Sequence, residues 1–167
     1  LNVVVGQHSV GSLERTVEWA ARHAMIAIKF QPMHSNLAHR FDTDLNVTDM
    51  TVDQDHIDAL GDELRRARQL ALDLGLATSS AAFVDGIPAY WRGSSKLDCY
   101  AGYVYGNLDP YGFLQPCYDH SEPLNVRKIG LVAAWQSASM QRMRAKVRAC
   151  SNACWNNGNA EPSLRLS

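Results

Sequence analysis

The four cysteines of this 167-residue chain constrain its fold most, because all of them lie in the C-terminal part of the sequence. They are Cys99, Cys117, Cys150 and Cys154. Four thiolates from one small, loop-rich unit can form a tetrahedral zinc site or ligate an iron–sulfur cluster. A zinc ribbon usually has two close Cys-x-x-Cys pairs, whereas only the last pair is close here, so the spacing leaves zinc and a cluster open. Buried thiols or disulfides are the remaining interpretation.

The amino-acid composition excludes several classes of protein. Hydrophobic residues make up 46% of the chain, which is enough for a packed core and excludes disorder over its whole length. Lys and Arg number 16 against 17 Asp and Glu, and this balance does not indicate nucleic acid or an anionic membrane as a partner. No apolar run approaches the roughly 20 residues that span a bilayer, and no signal-peptide pattern is evident. We therefore expect a cytoplasmic protein with reduced thiols.

The first 92 residues alternate between strand and helix patterns. The apolar, β-branched run Leu1–Gly6 predicts a buried strand, and Met25–Phe30 predicts a second one. Between them, Ser12 is a suitable N-cap for a helix that extends to Ala24. A strand–helix–strand unit is typical of parallel sheets. Because the chain begins inside an apolar run, we expect it to be the C-terminal part of a longer protein.

The clearest helix pattern follows a long polar loop, Gln31–Met50. Asp53 or Thr51 is expected to cap this helix, and Gly75 to follow its end. Its apolar stripe recurs every three or four residues and consists of Ile57, Leu60, Leu64, Ala67, Leu70 and Leu74.

The end of this first part is less regular. Leu76–Val84 predicts a weak third strand, Asp85–Pro88 a turn, and Arg92–Ser95 a connector.

The cysteine-rich part predicts a hairpin followed by a helix. Tyr103–Leu108 and Phe113–Gln115 read as short strands, and Asp109–Gly112 between them suits a type I turn. Leu131–Arg148 predicts one continuous helix, directly before Cys150.

Several of these pieces together resemble a known domain. They are Cys99-Tyr-Ala-Gly, the stretch from Gly106 through Asp109-Pro-Tyr-Gly to Cys117, the helix with Trp135, and the closing pair Cys150 and Cys154. In this order they are similar to the auxiliary-cluster domain of radical S-adenosylmethionine enzymes, called SPASM, or Twitch in its shortened form. The resemblance covers about residues 97–161. SPASM domains have seven cysteines and two clusters, so a chain with four cysteines resembles Twitch.

The resemblance implies an α/β fold with two domains. Residues 1–92 would be the last strands and helices of a partial (β/α)6 barrel, and residues 93–167 the Twitch-like domain. Cys99, Cys117, Cys150 and Cys154 would ligate one auxiliary [4Fe–4S] cluster for electron transfer. The full-length protein would also hold S-adenosylmethionine and a second [4Fe–4S] cluster.

The activity that the resemblance implies is oxidation or modification of a peptide or a small molecule, with an external electron donor as a possible partner. The radical-generating Cys-x3-Cys-x2-Cys motif is absent from this sequence, so we assign no catalytic or cofactor-binding residue. The alternative function is a four-cysteine, zinc-binding structural or interaction module without catalysis.

Other polar residues give weaker indications. Gln31–Asn36 follow the second strand, where loops of a β/α barrel face the active site, although a solvated polar loop is the favoured interpretation. His34, His39, Asp42 and Asp44 could form a metal site, but a solvated polar loop is the favoured interpretation for them too. His120 is expected to form a hydrogen bond rather than to bind metal. Backbone N–H groups near Gly102, Ser151 and Asn152 are candidate donors to cluster sulfur.

Overall fold

The protein is described here by a computed structural model that covers residues 1–34, 52–151 and 154–166. The strands are β1 (Asn2–Val5), β2 (Lys29–Pro32), β3 (Asn107–Leu108) and β4 (Leu114–Gln115). The helices are α1 (Leu13–Arg22), α2 (Ile57–Asp73), α3 (Ala81–Trp91), α4 (Val126–Ile129), α5 (Leu131–Gln136), α6 (Ala138–Arg148) and α7 (Ala160–Leu164). The fold is therefore mixed helix and strand.

The chain divides into two units. The first consists of Leu1–Lys96 with Ala153–Asn157, and the second of Leu97–Asn152 with Gly158–Ser167. Among the described residues each unit has one two-stranded sheet, and no barrel is evident. No helix in the described ranges is both long and apolar enough to cross a membrane.

The first unit contains the predicted strand–helix–strand arrangement. Strands β1 and β2 pair in parallel, from Asn2 opposite Lys29 to Val5 opposite Pro32, and α1 connects them in sequence. The prediction that the first strand is buried is wrong for most of its length: Val5 is fully buried, but Val4 is 55% exposed. The second strand also begins later than Met25, at Lys29.

Helix α2 confirms its sequence pattern. Ile57, Leu60, Leu64 and Ala67 are fully buried, and α2 packs against both α1 and α3. At the C-terminal end Ala71 is the buried residue, whereas Leu70 and Leu74, which the stripe included, are partly buried and exposed, respectively.

The predicted N-cap of α2 is wrong, because the N-cap residue is His56, whereas the predicted glycine after its C-terminal end is confirmed. The 3-10 turn Gln54–His56 precedes the helix, with Asp53 as the N-cap of that turn, and Thr51 lies outside the described residues. Gly75 follows the helix end with φ +76°, which is the left-handed conformation that favours glycine there.

The predicted third strand and the turn after it are wrong, because helix α3 runs from Ala81 to Trp91 through both segments. Of the predicted strand, Ala77 alone forms a parallel bridge, with Ala27. The Ser80 side chain accepts the backbone N–H of Phe83 and caps the helix. The helix buries Phe83, Val84 and Ile87 on one face, and this burial outweighs the turn preferences of Asp85, Gly86 and Pro88.

The second unit contains the predicted hairpin. Strands β3 and β4 are antiparallel, with Asn107 opposite Gln115, and both are shorter than predicted. In the turn between them, the Gly112 N–H donates to the Asp109 carbonyl at 3.0 Å. The Asp109 carboxylate also accepts the N–H groups of Tyr111 and Phe113. The aspartate thus fixes the turn that the sequence predicted.

The predicted continuous helix after the hairpin is wrong, because it is broken at Ser137. This residue has extended backbone angles (φ −66°, ψ 158°), and its side chain accepts the N–H of Met140, so that a new helix begins. Helix α6 buries Met140, Met143 and Val147, which places one of its faces in the core of the second unit.

Candidate metal centre

Cys99 and Cys117 come together in the core of the second unit. Cys117 is 8% exposed and lies in a cluster with Ala101 and Val147, and the partly buried Cys99 and Tyr105 pack against this cluster. Burial raises the pKa of the Cys117 thiol, and the negative charge of Cys99 contributes to the same rise. Two cysteines that pack on the same buried cluster can supply thiolate ligands to one metal centre.

A backbone turn at Gly102 brings the two cysteines together. The Gly102 N–H donates to the Tyr105 carbonyl at 2.7 Å, and Ala101 and Tyr105 form a bridge. Gly102 has φ +79°, and a Cβ there would lie 2.9 Å from Cβ of Pro116, next to Cys117. Only glycine therefore fits this turn without strain.

The Cys117 sulfur accepts hydrogen bonds from the backbone of the turn that follows it. Burial has the largest effect on the pKa of the Cys117 thiol and raises it. The backbone N–H groups of Asp119 and His120 have the opposite effect, because they donate to the sulfur. Cys117 and His120 also form an antiparallel bridge, which closes the turn. N–H groups that point at a cysteine sulfur favour its thiolate, the form that binds metals.

Tyr105 covers the Cys99 side of this pair. Its hydroxyl lies 3.6 Å from Sγ of Cys99 and 3.0 Å from the carbonyl oxygen of Asn159. Burial is the main cause that raises the pKa of Tyr105, and the charges of Cys99 and Cys117 contribute to the rise. The phenol therefore stays protonated and can act as a donor.

Cys150 lies one turn beyond the same core. It follows α6 directly, and its N–H donates to the carbonyl of Val147 at 3.1 Å. Val147 packs in the cluster that contains Cys117, while the Cys150 side chain is exposed.

Cys154 belongs to the segment that is grouped with the first unit. The next residue, Trp155, is buried, stacks on Phe83 with ring centroids 6.0 Å apart, and donates its indole N–H to the Phe83 carbonyl at 2.8 Å. Burial and, second, the charge of Cys154 raise the pKa of Tyr90 to about 12.

The structure thus places two of the four predicted ligands, Cys99 and Cys117, at the same buried cluster. All four cysteines lie in the described ranges, and none of them forms a disulfide. Within those ranges no three His, Cys, Asp or Glu side chains form a group that could hold a metal ion. The donor chemistry of Cys99 and Cys117 fits a thiolate centre, and the full four-cysteine set stays a prediction.

Comparisons with protein-family models, curated proteins and solved structures give no match to this chain.

The interpretation of Gln31–Asn36 as a solvated loop is wrong for its first residues, because Gln31 and Pro32 belong to β2. His34 is 8% exposed, and its Nδ1 lies 2.9 Å from the hydroxyl of Tyr90. The Gln31 side chain contacts Nε2 of His34 at 2.8 Å and accepts the N–H of Asn157 at 2.8 Å. His39, Asp42 and Asp44 lie outside the described residues.

Sequence reasoning identified the cysteines but not the groups that surround them. The Gly102 N–H, a predicted donor to sulfur, is used by the Tyr105 carbonyl instead, and Asn152 lies outside the described residues. The donors to Cys117 are the N–H groups of residues 119 and 120, which the tight turn after the cysteine supplies. A cysteine followed closely by a polar turn is the one sequence signal that could have indicated them.

Proposed function

We propose that this chain is the C-terminal part of a radical S-adenosylmethionine enzyme and that its four cysteines ligate one auxiliary [4Fe–4S] cluster. The proposed ligands are Cys99, Cys117, Cys150 and Cys154. The observation that carries this proposal is the pair formed by buried Cys117 and partly buried Cys99, with backbone N–H groups donating to the Cys117 sulfur. Two thiols with such neighbours are better suited to metal ligation than to packing alone.

Each side chain has a separate role in the proposed centre. Cys117 would be the most rigid ligand, because it is buried and its sulfur is already hydrogen-bonded. Cys150 follows the helix that contributes Val147 to the same core, and its exposed side chain would be the third ligand. Cys154 completes the set on the basis of the sequence motif.

A cluster held by four thiolates supplies one-electron transfer and leaves no iron open for a substrate. The protein residues around it would set its potential by burial and by hydrogen bonds to sulfur. The enzyme would use this electron path while it oxidises or modifies a peptide or a small molecule, with an external electron donor.

The first unit would contribute the last strands of the partial barrel. Its parallel pair β1 and β2, joined through α1, is the arrangement of which such barrels are built. His34 and Gln31 lie at the carboxyl end of β2 and are hydrogen-bonded to Tyr90 and Asn157. In the proposed enzyme this end would face the S-adenosylmethionine and the substrate.

Anaerobic reconstitution tests the proposal. The chain is incubated with iron and sulfide, desalted, and analysed for metal, sulfide and visible absorption. We expect a brown protein with about four irons per chain, as a [4Fe–4S] cluster requires. Cys→Ser at each of the four positions should lower the iron content strongly. Ser151→Ala, an exposed neighbour of Cys150, is the matched control and should retain full iron.

Two results would overturn the proposal. One zinc per chain with no colour would favour the structural zinc module. Full iron in Cys99→Ser would show that the ligand set is wrong, because this residue packs on the same cluster as Cys117.

A further inference from the structure

Aromatic rings and guanidinium groups alternate along one face of helix α6 in the second unit. Cζ of Arg144 lies 4.9 Å from the ring centroid of Trp135 and 5.7 Å from that of Tyr103. Cζ of Arg148, one helical turn later, lies 4.8 Å from the centroid of Tyr103 and 5.8 Å from that of Tyr100. Each guanidinium therefore packs on two rings, at distances where a cation and an aromatic face attract each other.

Hydrogen bonds to the backbone fix this arrangement. Nε of Arg144 donates to the carbonyl of Gly102, and the Tyr103 hydroxyl donates to the carbonyl of Arg144 at 3.4 Å. Arg144 is 9% exposed, whereas Arg148 lies at the surface. Arg148 thus presents its guanidinium to solvent from a position that two tyrosine rings restrict. Binding a partner there costs less side-chain entropy than binding at a mobile arginine.

The two ring-bound arginines differ from the other cations of α6 in their charge balance. Nη2 of Arg142 lies 2.7 Å from the carboxylate of Glu122, and Nζ of Lys146 lies 3.6 Å from the same group. Within the described ranges neither Arg144 nor Arg148 forms an ion pair. A charge that is almost buried ordinarily has a partner of opposite charge, so the positive charge of this face is uncompensated.

This face fits a carboxylate better than a nucleic acid. Contact with a ring does not use the in-plane N–H groups of a guanidinium, and their fork matches the two oxygens of a carboxylate. Binding a nucleic-acid strand depends on available aromatic faces and on a long row of cations. Here Tyr100 and Tyr103 already contact arginine. The neighbouring cations Arg142 and Lys146 are paired with Glu122, so the row of unpaired charges is short.

We propose that Arg148, held on Tyr100 and Tyr103, is a docking site for a carboxylate side chain of an acidic peptide segment. The uncompensated charge of Arg144 adds to the attraction. Asp98 is near enough for its charge to act on Arg148 but forms no ion pair with it, so the guanidinium is open to a partner. The inference goes beyond the proposed function and does not rest on it, because every contact belongs to the second unit and none needs a metal.

Nuclear magnetic resonance of the isotope-labelled full chain, titrated with an end-blocked Gly-Glu-Gly-Glu-Gly peptide, tests the proposal. We expect the largest shifts at the amides of residues 100–104 and 144–149 and at Nε–H of Arg148. Arg148→Gln should weaken binding about tenfold, the size expected for the loss of a hydrogen bond between charged groups. Tyr103→Leu keeps every charge but removes one supporting ring, and it should weaken binding by a smaller factor.

Arg142→Gln is the matched control. It removes the same charge from the same helix, but at an arginine that is already paired with Glu122. We expect it to change the affinity by less than about twofold, as for a screened charge that does not touch the peptide. The remaining amide signals in each spectrum report whether a variant is folded.

Four results would overturn the proposal. Equal weakening in Arg148→Gln and Arg142→Gln would show general charge attraction, and unchanged affinity in Tyr103→Leu would show that the rings do not hold the site. Absence of shifts in the unmodified chain at millimolar peptide would show that the face takes no carboxylate. Binding of an oligothymidylate but not of the peptide would assign the face to nucleic acid. None of these readouts depends on a bound metal, so their failure leaves the proposed function standing.

Discussion

Glu63 is a buried acid that organises the start of α1. It is 5% exposed, and its carboxylate oxygens accept the N–H of Gly11 at 2.7 Å and of Leu13 at 2.9 Å. Ser12, the N-cap residue, makes no side-chain hydrogen bond to the helix, so Glu63 takes over its role from α2. A carboxylate at this position also interacts favourably with the helix dipole.

We expect Glu63→Gln to lower the free energy of unfolding by about 2 kcal/mol, because an amide has one acceptor oxygen and leaves a buried N–H without a partner. Urea unfolding measures this. Glu18→Gln, an exposed change on α1, is the control and should have little effect. Equal stability of the two variants would contradict the role assigned to Glu63.

Tyr90 gives the first unit a pH dependence at high pH. Burial first, and the charge of Cys154 second, raise its pKa from 10.0 to about 12. The unfolded chain loses this proton at lower pH than the folded one, so the stabilisation is complete below pH 10.0 and is lost as the pH rises to about 12.

Tyr90→Phe should remove this pH-dependent loss of stability, which amounts to at most about 3 kcal/mol. Urea unfolding of the wild type and the variant across this pH range measures it, and Tyr111→Phe, at a position that is 73% exposed, is the control. Parallel stability curves for wild type and Tyr90→Phe would refute the prediction.

Helix α3 depends on a close contact at Gly86. A Cβ at this position would lie 1.8 Å from the Trp155 ring, so the helix and the indole approach each other only because residue 86 has no side chain. Gly→Ala inside a helix ordinarily adds about 1 kcal/mol of stability. We expect the opposite sign here, a loss of about 2 kcal/mol. A rise in the thermal unfolding temperature of Gly86→Ala would contradict this packing.

The helices show which sequence patterns can be read directly. The stripe of α2 is long, and nearly every member repeats at helical spacing, so the pattern alone predicts the helix. In α3 the apolar residues Phe83, Val84 and Ile87 also have helical spacing, but Gly86 and Pro88 between them favour a turn. Only the buried environment of that face decides between the two, and a single sequence does not contain that information.

The candidate site was predictable only in part, because the contacts around its cysteines depend on tertiary packing that a single sequence does not contain. Hairpin symmetry does not bring Cys99 opposite Cys117, and the chain reverses at Ala101 and Gly102 to place both cysteines at one cluster. The contact of Tyr105 with Ser163 spans 58 positions and depends on where α7 packs. No local sequence pattern predicts a contact between residues so far apart in the chain.

At the level of the whole molecule, the two units should respond differently to metal removal. Ligands that bind only the folded state stabilise it, and three of the four proposed ligands, Cys99, Cys117 and Cys150, come from segments of the second unit that are distant in sequence. We expect cluster loading to slow amide hydrogen exchange in residues 99–120 and to leave α2 unchanged. Mass spectrometry of loaded and chelated protein measures this. Equal protection of both regions, or none, would contradict a centre at Cys99 and Cys117.

X-ray absorption at the metal edge tests the central claim most directly, because it counts the atoms around a metal held by the proposed ligands, Cys99, Cys117, Cys150 and Cys154. The account predicts iron with about four sulfur neighbours and a further shell of iron, as in a [4Fe–4S] cluster. A single zinc with no metal neighbour, or iron surrounded by oxygen and nitrogen, would contradict it.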